Sequence, residues 1–263
     1  MQCKKISCVI ITLNEEKNIL RCLESITDVC DEIIVIDSGS TDKTVEICEK
    51  FEVKIIQQDF LGYTEQKNFA IDQASNDYIL SLDADEALSE ELIESIKTVK
   101  CNWTHDGYEM SRITNYCGKW IKHCGWYPDR KIRLFHRQKA RWLGGALHEE
   151  LTMNQGAKFK RIKGDILHYS YYTIDDHINQ INKFTKISSQ ELFEKGKKPS
   201  FIKLYCSAPI KFLRDYFWEL GILDGYMGFR ISLMSSFATY LKYARAKEHF
   251  DNKKEKDAKK SNN

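Results

Sequence analysis

The sequence predicts an α/β fold: a mostly parallel central sheet covered by helices, followed by a C-terminal helical appendage. Three observations carry this. Short β-branched apolar runs alternate with amphipathic segments through the first hundred residues. The runs are apolar throughout, as expected of strands buried on both faces. Beyond about residue 173, apolar residues recur at helical spacing, as in Leu213, Tyr216, Phe217, Leu220 and Leu223.

Ser7 to Leu13 reads as the first buried strand, and Asn14 can cap the helix after it, with Glu15 and Glu16 in the first turn. Ile19, Leu20, Leu23 and Ile26 then recur at helical spacing. Ile33 to Asp37 is a second strand, Ser38 to Asp42 a turn and cap, and Val45, Cys48 and Phe51 mark a second helix. Val53 to Ile56 is a third strand and Thr64 to Ala74 a helix. Tyr78 to Leu82 is a fourth strand, and Ser89 opens a further helix. Strand-like stretches follow at Gly107 to Thr114, Lys131 to Phe135 and Gly164 to Tyr172. Residues 173–250 read as amphipathic helix, and the lysine-rich stretch 251–263 as a disordered polar tail.

Composition bounds the partners. The chain has 263 residues, 30% of them charged, and a net charge of +2, so it gives no electrostatic sign of a nucleic-acid partner. Nine scattered cysteines with no CxxC pair predict reduced thiols and a cytoplasmic setting. No signal peptide and no apolar run of about 18 residues is evident, so no spanning helix is expected.

In such folds, ligands sit beyond the carboxyl ends of the strands. Three polar clusters fall there: Asn14-Glu15-Glu16, Asp37-Ser38-Gly39-Ser40 and Asp83-Ala84-Asp85. A strand projects residues i and i+2 to one side, so Asp83 and Asp85 point into the same space if the extended geometry persists through the end of the run. Two oxygen ligands on one side suit Mg²⁺ or Mn²⁺ with a substrate phosphate. The competing reading is a polar turn or helix cap.

Together these segments resemble the inverting family-2 glycosyltransferases of the nucleotide-sugar-binding GT-A fold. The residues that carry the likeness are Val9 to Glu16, Ile36 to Asp42 and Leu82 to Glu86. Gly144-Gly145-Ala146-Leu147-His148-Glu149 is similar to the subgroup that adds β-linked glucose to bacterial lipopolysaccharide core. The resemblance implies a catalytic domain over residues 1–172, with a nucleotide-sugar half to about residue 100 and an acceptor half to 172.

It further implies that Asp37 contacts the nucleotide, with Thr12, Asn14, Glu16 and Ser38 around it. Asp85 would bind a divalent metal, Mn or Mg, and Asp83 the metal or the ribose. His168 is a third candidate ligand, set against a plain buried histidine. Lys67 could meet the phosphates or sit on a solvated helix face. Arg130 and Arg133 could clamp phosphates or an anionic acceptor, or be surface charges. Inversion needs one base, for which Glu149 is the candidate and Glu150 the alternative.

The implied activity moves a hexose, glucose in the subgroup, from a UDP-sugar to a cell-envelope glycan or lipid-linked acceptor such as lipopolysaccharide core. Basic flanks and aromatic faces after residue 173 point to a peripheral contact with the inner membrane, the alternatives being a partner subunit or ordinary packing on the catalytic domain. The alternatives are a metal-dependent nucleotidyltransferase and a non-catalytic membrane-associated scaffold that keeps the fold. The first usually has a Gly-rich phosphate loop after its first strand, and Thr12 to Glu16 offers none.

Overall fold

A computed structural model describes residues 3–144 and 149–261, with only the backbone for 255–261. In chain order the elements are β1 (Ile6–Thr12), α1 (Ile19–Ile26), β2 (Glu32–Asp37), α2 (Thr44–Cys48), β3 (Lys54–Gln57), α3 (Tyr63–Asp72), β4 (Tyr78–Asp83), β5 (Glu86–Leu88) and α4 (Glu90–Cys101). There follow β6 (Gly107–Tyr116), β7 (Lys119–Ile121), β8 (Asp129–His136), β9 (Ala140–Leu143), β10 (Glu150–Met153) and β11 (Phe159–Tyr171). The remainder is α5 (Ile174–Glu194), α6 (Phe201–Tyr205), α7 (Ser207–Leu213), a π-helical turn at Arg214–Trp218, a 3-10 turn at Gly221–Asp224, and α8 (Gly225–Ser261).

The chain forms two compact units: the segment ending at Thr114 with Pro128–Ser170, and Asn115–Tyr127 with the segment from Tyr171 onward. In the first, the sheet order is β3-β2-β1-β4-β8-β6-β11-β5. β3, β2, β1 and β4 pair in parallel. The parallel part stops there, because β4 takes β8 as an antiparallel neighbour, as β8 takes β6 and β11 takes β5. The second half of this sheet is therefore less parallel than the sequence pattern predicted. From β6 to β11 no helix intervenes between strands among the described residues, and that permits antiparallel pairing.

The apolar strands are buried on both faces. Cys8, Ile10, Leu80 and Leu82 pack with Ile19, Leu23 and Ile26 of α1 and Leu92 and Ile96 of α4. Val9, Ile34, Ile36 and Ile79 pack with Ala70 and Ile71 of α3. Neighbouring residues of β1 thus serve opposite layers, as strand geometry requires. The register sets Thr12 beside Asp37 and Ile11 beside Asp83, so three polar strand ends lie at one level. Gly164 of β11, at φ +90°, passes so close to α4 that an added Cβ would lie 2.2 Å from the Leu92 nitrogen. Only glycine fits there.

The structure departs from two further sequence expectations. Cys3 and Cys101 form a disulfide, although reduced thiols were expected. The segment before β1 runs beside the end of α4, where the Lys4 N–H donates to the Lys100 carbonyl at 2.8 Å. Cysteine usage therefore gives no argument for a reducing compartment. The polar stretch expected to be disordered is also helical as far as Ser261. Its Lys, Glu and Ala residues are strong helix formers.

In the second unit, Arg245 of α8 donates to the Asn182 carbonyl of α5 at 3.1 Å and to its side-chain oxygen at 3.0 Å. Tyr116, Trp126, Tyr171 and His177 form an aromatic cluster. The Tyr116 hydroxyl lies 2.9 Å from His177 Nδ1. Burial pushes the His177 imidazole down to about 4. Its folded value lies below its unfolded value of 6.5, so the unfolded chain binds a proton that the folded one refuses. The stability of this unit is full above about pH 6.5 and falls as pH drops toward 4. After allowance for solvent screening, the loss at pH 5 is about 1–2 kcal/mol. Urea melts at pH 7.5 and pH 5 should show that fall shrinking in His177→Gln; an unchanged pH dependence would refute it.

Candidate active site

The first wall of the site is a set of loops at the carboxyl ends of β1 and β2. Asn14 sits at φ +55°, a left-handed conformation that asparagine tolerates. It does not cap α1, which starts at Ile19. Its N–H donates to Ser40 Oγ at 2.9 Å, and its Oδ1 accepts from the Thr41 N–H at 2.8 Å. Glu16 is exposed; its carboxylate accepts from the Lys43 N–H, and its own N–H donates to Asp42. Both residues tie the loop after β1 to the loop after β2.

Asp37 is fully buried. Its carboxylate accepts from the N–H groups of Gly39 and Ser40 at 3.0 and 2.9 Å, and from the Ser40 hydroxyl. The turn it holds places Ser38, whose N–H donates to the Thr12 carbonyl and whose hydroxyl accepts from Gln66 at 3.1 Å. The buried Thr12 hydroxyl has no hydrogen-bond partner among the described residues. A buried hydroxyl without a partner is costly unless a ligand meets it.

The second wall centres on Asp83 at the end of β4. Lys67 Nζ of α3 lies 2.8 Å from its Oδ1, and Arg133 of β8 donates to its Oδ2 at 3.0 Å. Burial alone would raise the Asp83 carboxyl, but Lys67, Arg133 and Arg112 overcome it and hold the group far below the usual carboxylate range. Lys67 is buried, so it is not a solvated helix charge, and neither is Arg133 a surface strand charge. Trp142 of β9 lies beneath both cations, its ring 4.3 Å from Lys67 Nζ and 5.1 Å from the Arg133 guanidinium.

Behind them sits the buried Glu86. It accepts from Arg133 at 2.9 Å, from Arg112 at 3.0 Å and from the Asp83 N–H at 3.0 Å. Arg133 still has two guanidinium nitrogens, Nε and Nη1, that are buried without partners among the described residues.

Asp85 meets His168 where β5 pairs with β11. His168 Nε2 lies 3.1 Å from Asp85 Oδ2, and Nδ1 lies 3.4 Å from Thr114 Oγ1. Adjacent ligands of an octahedral ion at about 2.1 Å are separated by about 3.0 Å, so this donor pair fits a divalent cation. Glu15 supports the fit: burial raises its carboxyl, the Asn18 amide pulls it back, and Asp85, Asp42 and Asp83 add to the rise. Negative charge is thus concentrated at this point. Among the described residues no group of three or more His, Cys, Asp or Glu closes a metal site by itself. Substrate oxygens and water would fill the other positions, as is usual for Mg²⁺.

A cavity of about 760 Å³ opens in this unit. Lys67, Asp83, Arg133, Trp142 and Glu149 line it together, with Glu109, Arg112, Arg130 and Lys131 also in the lining. Glu149 Oε1 lies 3.9 Å from Lys67 Nζ. Glu150, the alternative acid, also lines the cavity but is exposed and paired in β10 opposite Leu143. Gly145, Ala146, Leu147 and His148 of the glycine motif lie outside the described residues. The structure thus groups Lys67, Asp83, Arg133 and Glu149, sets Asp85 with His168, and assembles Thr12, Asn14, Glu16, Asp37 and Ser38 at the neighbouring strand ends.

Polar strand ends on an α/β sheet, with a cationic clamp and a carboxylate lining one cavity, are the makings of a group-transfer enzyme. Comparison with known proteins gives the family. The family described as "Glycosyl transferase family 2" matches residues 7–98. A glycosyltransferase of Rickettsia typhi is 32% identical over 93% of this chain and 87% of its own length. The lipopolysaccharide core biosynthesis glycosyltransferase LpsC of Rhizobium meliloti is 31% identical over 90% of this chain and 91% of its own. The chain belongs to glycosyltransferase family 2. Its fold is shared with the mannosyltransferase PcManGT of Pyrobaculum calidifontis, whose structure contains GDP-Man and Mn²⁺ (TM-score 0.55, 12% identity, 94% of this chain and 88% of that one). Membership of this family removes the nucleotidyltransferase alternative.

Proposed function

We propose that this glycosyltransferase moves a hexose, glucose by the subgroup likeness, from a UDP-sugar to a cell-envelope glycan or lipid-linked acceptor of the lipopolysaccharide-core type, with inversion. The observation that carries the reading is a cavity lined both by Asp83, clamped by Lys67 and Arg133, and by Glu149. The naming of LpsC for core biosynthesis supports the acceptor class.

In this reading Thr12, Asn14, Glu16, Asp37 and Ser38 form the nucleoside pocket. Asp37 acts by holding its turn, and the Thr12 hydroxyl meets the ligand it now lacks. Lys67 and Arg133 bring positive charge to the diphosphate, and Asp83 keeps both in place while facing the ribose. Asp85 and His168, with Asp83 behind, would hold a divalent cation, which when bound offsets charge on the leaving diphosphate.

Glu149 takes the proton of the acceptor hydroxyl as that oxygen bonds to the anomeric carbon. The bond from that carbon to the phosphate oxygen breaks, and its electron pair leaves with UDP. Attack opposite the leaving group inverts the configuration. Trp142 supports the two cations and screens them from water. Arg130 in the lining suits an acceptor that carries negative charge, while Arg112 and Lys131 are paired with Asp129. Retention of all these groups argues against a bare scaffold, and an acceptor of this class would be met at the cytoplasmic face of the inner membrane.

The test is a panel of UDP- and GDP-sugars with Mn²⁺ or Mg²⁺, scored by nucleotide release. UDP-glucose should turn over, and removal of the metal by a chelator should abolish release. If no UDP-sugar binds or is hydrolysed with either ion, the reading fails.

A further inference from the structure

We propose that the second unit docks on an anionic lipid surface, using the Phe201–Leu223 stretch and an exposed stripe of α8. Trp218 is 83% exposed, Phe201 73%, and Ile202, Tyr205, Ile210 and Phe217 are each more than half exposed. Surfaces in contact with water alone rarely carry so many large apolar side chains together. The stretch is one packed body with α8. Ser236 of α8 donates to the Ala208 carbonyl at 2.7 Å, and the Phe229 ring lies 5.8 Å from those of Phe212 and Tyr216. Tyr226, Phe229, Leu233, Phe237 and Tyr240 extend the exposed face along α8 at spacings of three and four residues.

Charge selects the occupant. Between residues 195 and 245 there are nine Lys and Arg against three Asp and Glu, a net charge of +6 on a chain whose total is +2. Two of the three acids, Asp215 and Asp224, are buried. Asp215 is held by Lys211 and Arg214 within the unit. What faces outward is apolar and cationic together, with Trp and Tyr among the exposed rings. This is the chemistry of the headgroup layer of an anionic bilayer.

A second copy fits worse. A two-fold dimer would set this patch against itself, positive charge facing positive charge. Among the described residues no helix is long and apolar enough to cross a membrane, so the contact lies on the surface. Docking here is independent of the sugar-donor reading and would bring the enzyme to a lipid-linked acceptor.

The experiment is flotation of the full chain with vesicles of phosphatidylcholine alone or mixed with phosphatidylglycerol, at low and high salt. The mixed vesicles should retain the protein, and salt should release it. The double variant W218S/L223S should lose at least about tenfold in vesicle affinity. K198E/K203E should lose at least about tenfold toward mixed vesicles only. Circular dichroism and UDP-sugar hydrolysis, read on the same samples, should stay unchanged in both variants. Absence of binding to mixed vesicles, equal binding by the variants, or a dimer that W218S/L223S dissolves without any vesicle binding would each overturn the proposal. Hydrolysis is read without lipid, so its failure and the failure of docking are separate results.

Discussion

Glu149→Gln should lower sugar transfer by about 10²–10⁴-fold, the range for a lost general base, while UDP binding stays close to that of the unaltered protein. The amide keeps the size of the side chain and its reach toward Lys67, 3.9 Å away. It cannot accept the acceptor's proton. Because Lys67 retains its 2.8 Å contact with Asp83, the cationic clamp should survive. Nucleotide affinity measured by calorimetry should thus be nearly unchanged, and slow hydrolysis of the donor by water should suffer less than transfer. Glu150→Gln should leave transfer within a few-fold. The reverse pattern, with Glu150→Gln inactive and Glu149→Gln active, would move the base to the neighbouring acid. Loss of UDP binding in Glu149→Gln would assign that residue a structural part. Asp85→Asn separates the roles further, since weakening of the metal end should reduce nucleotide binding and transfer together.

The first half of the fold was legible because its strands are buried on both faces. Val9 to Ile11, Ile33 to Ile36 and Ile79 to Leu82 leave no polar alternation to misread. The positions of Asn14, Asp37 and Asp83 followed from the rule that ligands gather at strand ends. What the sequence hid depends on partners distant along the chain. Lys67 looked as fit for solvent as for phosphate, because α3 carries no clear apolar stripe. Its burial is decided by Trp142, 75 residues away, whose ring lies under its ammonium. Glu86 stood out only as an acid beside the Asp83-Ala84-Asp85 motif. Its work appears once β6 and β8 bring Arg112 and Arg133 to it. Gln66, which spans Ser38 and the Gln58 carbonyl, carried no local signal at all. The Cys3–Cys101 bridge was missed because cysteine counting weighs compartments, whereas this pair is set by where β1 and α4 start and end.

Glu86→Ala should destabilise the protein by about 3–5 kcal/mol, the range for breaking a buried ion pair by removing one partner. Glu86 is 1% exposed and joins Arg112, Arg133 and the backbone of Asp83. Arg112 keeps Asp129 at 2.7 Å and is 20% exposed, so the larger penalty falls on Arg133, which is 2% exposed. Burial alone would weaken the charged form of Arg133; Glu86 first and then Asp83 restore it. With Glu86 gone, Arg133 has only Asp83 to balance it, and the Asp83 N–H loses its acceptor. The site should therefore loosen at the end of β4, so that UDP affinity falls as well as stability. The double variant E86L/R133L tells the two effects apart. Apolar residues of similar bulk can replace a buried pair at little loss, so its urea midpoint should recover most of the way toward the unaltered protein. Transfer should not recover, because the diphosphate end of the cavity has lost its guanidinium. If Glu86→Ala loses less than about 1 kcal/mol, the carboxylate is not the anchor of this cluster. If E86L/R133L regains transfer along with stability, Arg133 serves the fold alone, and the cationic clamp reduces to Lys67.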